Sequence, residues 1–498
     1  MNNNNIDYYR DAQNFPYYIQ KNGDPFKNFY INYINDKVDD SDEVKDYERE
    51  FYEFLKEKVG AFIGKIPYDH IVLLLGAGAS VVENKNYGKT MNQLALDIFS
   101  SMANNQYDEE TDLNSEDLLP YEKILKFLPN SKDVIKKFPK LEPDPKDKDH
   151  LINNWKGSFP LEDLISRLDF YIKGNEYLVD EDNKGYFNQV CNTKNYIIYK
   201  IFKNVNYDKL DDENMPFNHM SVVLALTKLL RDLSEKLTIV TTNYDLAIEK
   251  SLAKSDFSIF NGFNLTNDSV FDESSFDWVL SKRVDHINTH EVIYKPNMVN
   301  LFKIHGSINW LFDGKKTKEV SGNVVKNSLI SQLKNSSRKN LGDDKNSNNK
   351  KDEVRMIFPS TNKYMQSYEE PYFDLISRFQ EELHKANTLL VTSGFSFGDD
   401  HISRMVINAI KHNSSLKCLF TDYGIYNSQF YKYDEIENNE EIQNIQTSKK
   451  ENAESKETLY GNKNWRDLDE LRNEGYDIAF LKATMNDKKH GLAFFLRG

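Results

Sequence analysis

Four short clusters gather the residue types from which a small-molecule site is built. "GAGAS" (76–80) joins Gly76, Ala77 and Gly78 to the hydroxyl of Ser80, and "TTNYD" (241–245) offers Thr242, the amide of Asn243 and the carboxylate of Asp245. "HGS" (305–307) sets an imidazole, His305, before Gly306, and "GFSFGDDH" (394–401) brings Gly394, Ser396 and a pair of acids. A chain leaving a buried strand through two glycines turns tightly, and with no Cβ in the way phosphates or another backbone can come within contact distance. The same Gly-x-Gly also marks an ordinary tight strand-to-helix turn. Each cluster has such a plain use: Asn243 and Asp245 suit a helix cap, Thr242 a turn, and His305 a satisfied half-buried position. Together on one edge, amides, hydroxyls, an imidazole, carboxylates and glycines are what a cofactor pocket requires and stability alone does not.

The elements that must bring them together are short apolar runs. "HIVLLLGAG" (70–78), "LTIVTTNYD" (237–245), "LFKIHGS" (301–307), "NTLLVTSGFS" (387–396) and "SLKCLFTDYG" (415–424) read as strands bounded by turn residues. Their near-continuous apolarity predicts parallel strands covered on both faces. Between them lie helix-period segments, such as Leu161, Leu164, Ile165 and Leu168. The expected class is α/β, a doubly wound, Rossmann-like parallel sheet with a large helical insertion and mobile polar loops; too few regular units are present for an eight-fold barrel. In a doubly wound sheet the carboxyl ends of the strands share one edge, so the four clusters meet there.

Composition narrows the function classes. The 498 residues carry a net charge of −14, which argues against general attraction to nucleic acid. Two cysteines, Cys191 and Cys418, cannot build a disulfide framework or a four-cysteine zinc site, and no metal is expected. "MNNNNIDYYRDAQNF" lacks the regions of a secretion signal, and no apolar run reaches the length of a membrane span, so a soluble, cytoplasmic protein with no membrane partner is expected.

The chain divides, on this reading, into an aromatic-rich helical extension (1–65), a nucleotide-binding core (66–425) and a C-terminal extension (426–498). The core carries a helical insertion at about 101–160 and a loop of disordered composition at about 313–353; the C-terminal part carries an acidic loop at about 433–458. Deleting 320–350 is expected to leave folding unaffected. The N-terminal aromatics, among them Tyr8, Tyr9, Tyr17, Phe26 and Phe29, exceed what one helical layer usually buries, which suggests a homo-oligomer.

In order, "GAGAS", "TTNYD", "KIHGS" and "SGFSFGDDHI" resemble the motifs of the sirtuin family over about 68–425. "IHGSINW" and "GFSFGDDHI" look most like the divergent sirtuin-like NAD hydrolases of bacterial antiphage defence, and "FPLEDLISRLDFY" (159–171) is similar to a helix of that group. The resemblance implies NAD as substrate, cleaved to nicotinamide and ADP-ribose. It implies that Gly76, Ala77, Gly78 and Ser80 hold the pyrophosphate through backbone N–H groups, that Gly394 and Ser396 close over ribose and phosphate, and that Thr242 and Gly306 line the pocket. Asn243 would place a water or bond the nicotinamide ribose, Asp245 would accept from the carboxamide, and His305 would take a proton as the glycosidic bond breaks. A HerA-type ATPase is an implied partner.

Departures from the protein-deacylating pattern favour hydrolysis. The four-cysteine zinc module is absent, and "VVENKNYGKT" (81–90) stands where an Asp-Phe-Arg loop is usual, leaving Tyr87 and Lys89 as candidates on the nicotinamide side. Two other classes remain open: a module that senses NAD or a nucleotide without turnover, and an assembly subunit of an ATPase complex.

Overall fold

A computed structural model describes residues 5–12, 17–20, 24–30, 46–82, 87–128, 142–143, 151–152, 161–207, 216–232, 234–253, 255–264, 269–283, 292–338, 353–356, 370–423 and 463–497. The strands are, in chain order, β1 (Asn5–Asp11), β2 (Tyr17–Gln20), β3 (His70–Leu75), β4 (Glu142–Pro143), β5 (Leu151–Ile152), β6 (Leu237–Thr241), β7 (Ser258–Phe260), β8 (Ser281–Arg283), β9 (Val292–Tyr294), β10 (Met298–Lys303), β11 (Gly306–Phe312), β12 (Thr317–Glu319), β13 (Glu353–Met356), β14 (Thr388–Ser393), β15 (Leu416–Thr421) and β16 (Ile478–Leu481). Nine of them form the main sheet, in the order β2-β1-β16-β15-β14-β3-β6-β10-β7.

From β16 to β7 neighbouring strands run parallel, whereas β1 joins β16 and β2 joins β1 antiparallel. This is the doubly wound α/β architecture. β3 lies at the centre of the seven parallel strands: the chain goes to β6 beside it, out to β7 at the edge and back to β10 between the two, then crosses to β14 on the other flank of β3 and winds out through β15 and β16. The reversal between β3 and β14 is the topological switch point, where open α/β sheets form their crevice.

Period-2 alternation splits β3 between two cores. Val72 and Leu74 pack with Leu375 and Phe379 of the helix Tyr372–His384, Val406 of the helix Asp400–His412 and Trp465 of the helix Lys463–Asn473. Ile71, Leu73 and Leu75 pack on the opposite face with Phe51 and Leu55 of the helix Tyr47–Ile63 and Val222 of the helix His219–Thr227. Covering on both faces is why "HIVLLL" has no polar alternation.

Four expectations are corrected. Residues 5–20, expected to be helical, supply β1 and β2 because Tyr9, Arg10 and Asp11 pair with β16. The C-terminal part is no appendage, since β16 lies inside the sheet between β15 and β1. The stretch expected to be a polar loop from 313 holds β12 and the helix Gly322–Arg338, whose Val325, Leu329 and Leu333 are buried in a third, helical core. A deletion of 320–350 therefore removes core side chains. That core also takes Phe99 of the helix Met91–Ala103, Leu164 of Leu161–Asn175 and Phe202 of Lys184–Val205, so the helical layer runs well past residue 160. Most of 129–160 and all of 433–458 lie outside the described residues.

The N-terminal aromatics fold back on their own chain. Phe51 meets Tyr8, Phe26 and Phe29 at ring distances of 5.0, 5.6 and 4.8 Å, and Phe54 meets Tyr17 at 5.0 Å. Among the described residues, these N-terminal rings are thus used in packing within one chain. Among the described residues no helix is long and apolar enough to cross a membrane.

Candidate functional site

The site is built at the switch point from the loops that follow β3, β6, β10 and β14. Leaving β3, the chain makes a single 3-10 turn, Ala77–Ser80. Across from it, Gly394 leaves β14 with φ +62, a left-handed conformation that disfavours any side chain. The two loops touch backbone to backbone: the Gly76 N–H donates to the Ser393 carbonyl (3.1 Å) and the Gly78 N–H to the Gly394 carbonyl (3.0 Å). A Cβ on Gly76 would stand 2.5 Å from the Gly394 oxygen, one on Gly78 2.7 Å from the Gly394 Cα, and one on Gly394 2.1 Å from the Ala79 nitrogen.

This corrects the reason for the glycines. They let two loops of one chain interlock, and the amides of Gly76 and Gly78 are used in doing so, while the Ala79 N–H is given to the Gly76 carbonyl. Replacing Gly394 by Ala must force the loops apart. Beyond the left-handed penalty of about 1–2 kcal/mol, the steric overlap adds a cost of its own, so the expected result for Gly394→Ala is a clearly lowered melting temperature in calorimetry together with loss of whatever the site binds. A melting temperature within a degree of the parent would show that the loops separate freely.

The second cluster grips the first. Asn243 Nδ2 donates to the Gly76 carbonyl (2.9 Å) and to Ser80 Oγ (3.1 Å), and the Thr242 N–H reaches the Leu75 carbonyl (3.1 Å). Ser80 Oγ in turn donates to Asp245 Oδ2 (2.7 Å), while Asp245 Oδ1 accepts from the Ala247 N–H (3.0 Å). Asp245 is buried, and burial raises its carboxyl above the usual range against the pull of Lys303. Both of its oxygens hold protein groups, so its visible work is fixing Ser80 and the start of the helix Ala247–Leu252. Beneath it lies Lys303, 2% exposed, which donates to the Asp245 carbonyl and to Glu249 Oε1 (2.9 Å). Lys303 escaped the sequence reading because a single lysine in a strand carries no spacing signal.

His305 sits where the chain leaves the main sheet. The expected strand "LFKIHGS" ends at Lys303, and Gly306, with φ +86, turns the chain into the small sheet β12-β11-β13. That conformational demand accounts for Gly306. Backbone bonds from the Ile304 N–H to the Thr241 carbonyl (3.1 Å) and from the Ile308 N–H to the Tyr244 carbonyl (3.0 Å) hold His305 beside the Asn243 cluster. Its Nε2 is 3.2 Å from Asp399 Oδ2, and both side chains are more than nine-tenths buried.

A rim and a floor result. Ala77 and Ser396 are exposed, Gly78, Thr242, Asn243 and Gly394 are half-buried, and Ser80, Asp245 and His305 lie buried below. Ser396 accepts from the Gly398 N–H at 3.4 Å, and its carbonyl accepts from Trp465 Nε1 at 2.9 Å. The two further candidates are engaged by neighbouring side chains: Tyr87 packs against Tyr207 and Phe217 in a cluster with Ala247, and Lys89 is bound to Asp97 and Asn204 (2.8 Å to the latter). The far end of the chain props the site, because Asn486 Nδ2 donates to the carbonyls of Ala79 (2.8 Å) and Val81 (2.9 Å) and Asn464 Nδ2 to that of Phe397 (2.8 Å). Among the described residues no group of three or more His, Cys, Asp or Glu could hold a metal.

Residues 237–421 match the family model described as the SIR2-like domain. This segment of the chain is therefore sirtuin-like, and it spans Thr242, Asn243, Asp245, His305, Gly306, Gly394 and Ser396 but not the glycines after β3. A solved structure described as "Structural Basis for the Mechanism and Regulation of Sir2 Enzymes" is similar at 10% identity over 86% of this chain and 97% of that one, with a TM-score of 0.26. No curated protein matches the chain.

Proposed function

We propose that the chain is an NAD glycohydrolase, cleaving NAD to nicotinamide and ADP-ribose. The observation that carries this reading is a buried histidine at the switch-point crevice, paired with a carboxylate and set beside an asparagine whose rim is open. A sirtuin-like segment brings NAD as the substrate class; Asn243 and His305 bring what hydrolysis asks of it. The bond broken joins a cationic nicotinamide ring to C1′ of the ribose, and its electron pair leaves with the ring nitrogen, which becomes neutral. Water oxygen bonds to C1′, and the water proton passes to His305. Positioning that water and keeping others out supplies much of the remaining acceleration.

Asn243, with its amide at the rim, is the group to orient the water or the ribose. Asp245 acts by holding Ser80, and Ala77, Gly78, Thr242, Gly394 and Ser396 form the surface against which the dinucleotide lies. A role as an antiphage effector that depletes NAD beside a HerA-type ATPase rests on the motif resemblance and is proposed on that ground; the homo-oligomer rests on the aromatic-rich N-terminal sequence alone, and the cytoplasmic setting on composition.

Purified protein incubated with NAD, alone and with a HerA-type ATPase, is expected to release nicotinamide and ADP-ribose in equal amounts by chromatography. Tight NAD binding without either product in both conditions would replace hydrolysis by sensing.

A further inference from the structure

We infer that Asp399 is a positioning residue for His305, fixing which ring nitrogen carries the proton. The inference rests on the hydrolytic reading of the site for its effect on turnover, but its geometry stands apart from that reading. Asp399 is the N-cap of the helix Asp400–His412, and its two oxygens are divided between two tasks. Oδ1 accepts from the backbone N–H groups of His401 (3.0 Å) and Ile402 (3.3 Å), satisfying the open first turn. Oδ2 faces His305 Nε2 at 3.2 Å.

A carboxylate can only accept, so the neutral imidazole must place its proton on Nε2 and keep its lone pair on Nδ1. Nδ1 is then the nitrogen that takes a proton in the reaction. The carboxylate cannot drift, because the cap ties it to a helix whose Ile402, Val406, Ala409 and Ile410 are buried against the sheet. Its neighbour Asp400 is turned away from this task and accepts instead from Asn464 Nδ2 (2.9 Å). The adjacent acids of "GDDH" thus do separate work: one orients His305 and the other anchors the loop to the C-terminal helix Lys463–Asn473.

The division of oxygens makes an unusual ranking of variants. In Asp399→Asn the oxygen must stay on the two backbone N–H groups, so the amide NH2 is presented to His305 Nε2. The ring is driven to the opposite tautomer, with Nδ1 protonated and unable to accept. In Asp399→Ser the hydroxyl still caps the helix but does not reach His305, leaving the tautomer unforced. A purely structural role ranks the variants the other way, since asparagine is both a good cap and the nearest isostere.

The test measures nicotinamide release, melting temperature and the 15N spectrum of histidine-labelled full-length protein at alkaline pH, with His305→Gln assigning the His305 signals. The expected result is an Nε2-protonated His305 in the parent and an Nδ1-protonated ring in Asp399→Asn. The asparagine variant should lose about 10²-fold or more in kcat, the scale of a general base, with KM for NAD and melting temperature little changed, and the serine variant should lose less. An unchanged tautomer, a kcat within about twofold of the parent, or a serine variant worse than the asparagine one overturns the assignment. If the parent itself releases no nicotinamide, hydrolysis is the reading that fails, and the tautomer alone decides whether Asp399 sets the ring.

Discussion

His305→Ala should abolish nicotinamide release while the chain stays folded. A general base contributes about 10²–10⁴-fold, and here the imidazole is held at the crevice beside the Asn243 segment. The substitution leaves Asp399 facing a small void, but that carboxylate still accepts from His401 and Ile402, so it does not become an orphaned buried charge. Loss of packing and of one charge-assisted contact should cost about 1–3 kcal/mol, which an ordinary domain survives. His305→Gln sharpens the comparison. Its side-chain N–H can still meet Asp399 Oδ2, whereas an amide cannot accept a proton usefully at neutral pH, so the glutamine variant should melt near the parent and be equally inactive. Full turnover in either variant would remove His305 from the chemistry and return the site to a binding role.

The parts of this architecture that sequence shows are those under the strongest physical constraint. β3, β6, β14 and β15 are legible because strands sandwiched between two helical layers must be largely apolar on both faces, giving the near-continuous runs at 70–75, 237–241, 388–393 and 416–421. β1 is not, since in "NIDYYRD" the adjacent Tyr8 and Tyr9 break the period-2 alternation that marks a strand, where the register with β2 shifts between Asp7 and Tyr9. β16 is only four residues long, too short for any period. The helix Gly322–Arg338 hides for another reason. Val325, Leu329 and Leu333 are buried in the core, four residues apart, with Ile330 partly buried beside them, in a run of Asn, Ser and Lys whose composition overwhelms the spacing.

At the site, residue types were legible and their roles less so. Glycines after β3 and β14 announce a close approach, but not whether the approaching group is a phosphate or the neighbouring loop; it is the neighbouring loop for Gly76, Gly78 and Gly394. Asp245 reads as a free acceptor in "TTNYD", yet Ser80 and Ala247 occupy its oxygens. Two adjacent acids in "GDDH" are equivalent in sequence, and only the start of a helix between them separates Asp399, the cap, from Asp400 in the first turn.

Ending the chain after residue 425 should destroy the fold, although composition there suggests a detachable tail. The segment beyond holds Trp465, Leu468, Leu471, Ile478, Phe480, Leu481, Leu492 and Phe495, all buried. At about 1.5–3 kcal/mol for each large apolar side chain, their removal outweighs the net stability of an ordinary domain, about 5–15 kcal/mol. The cut also strips β15 of one neighbour and severs β1 and β2 from the sheet, because β16 is the strand that joins them to it. What remains would expose the full edge of β15 and the face of the helix Asp400–His412, a template for aggregation. The site suffers separately, through loss of Asn486 under the Ala79–Val81 turn and of Asn464 and Trp465 under the loop at 396–400. Expression of residues 1–425 should therefore yield insoluble protein or a chain without a cooperative melting transition in calorimetry. Two substitutions place the cause: Asn486→Ala, which leaves the sheet intact, should keep a cooperative transition and weaken NAD turnover, whereas Phe480→Ala should lower stability by about 3–5 kcal/mol. A 1–425 chain that folds and melts cooperatively would mean that β16 is an addition to a sheet complete without it.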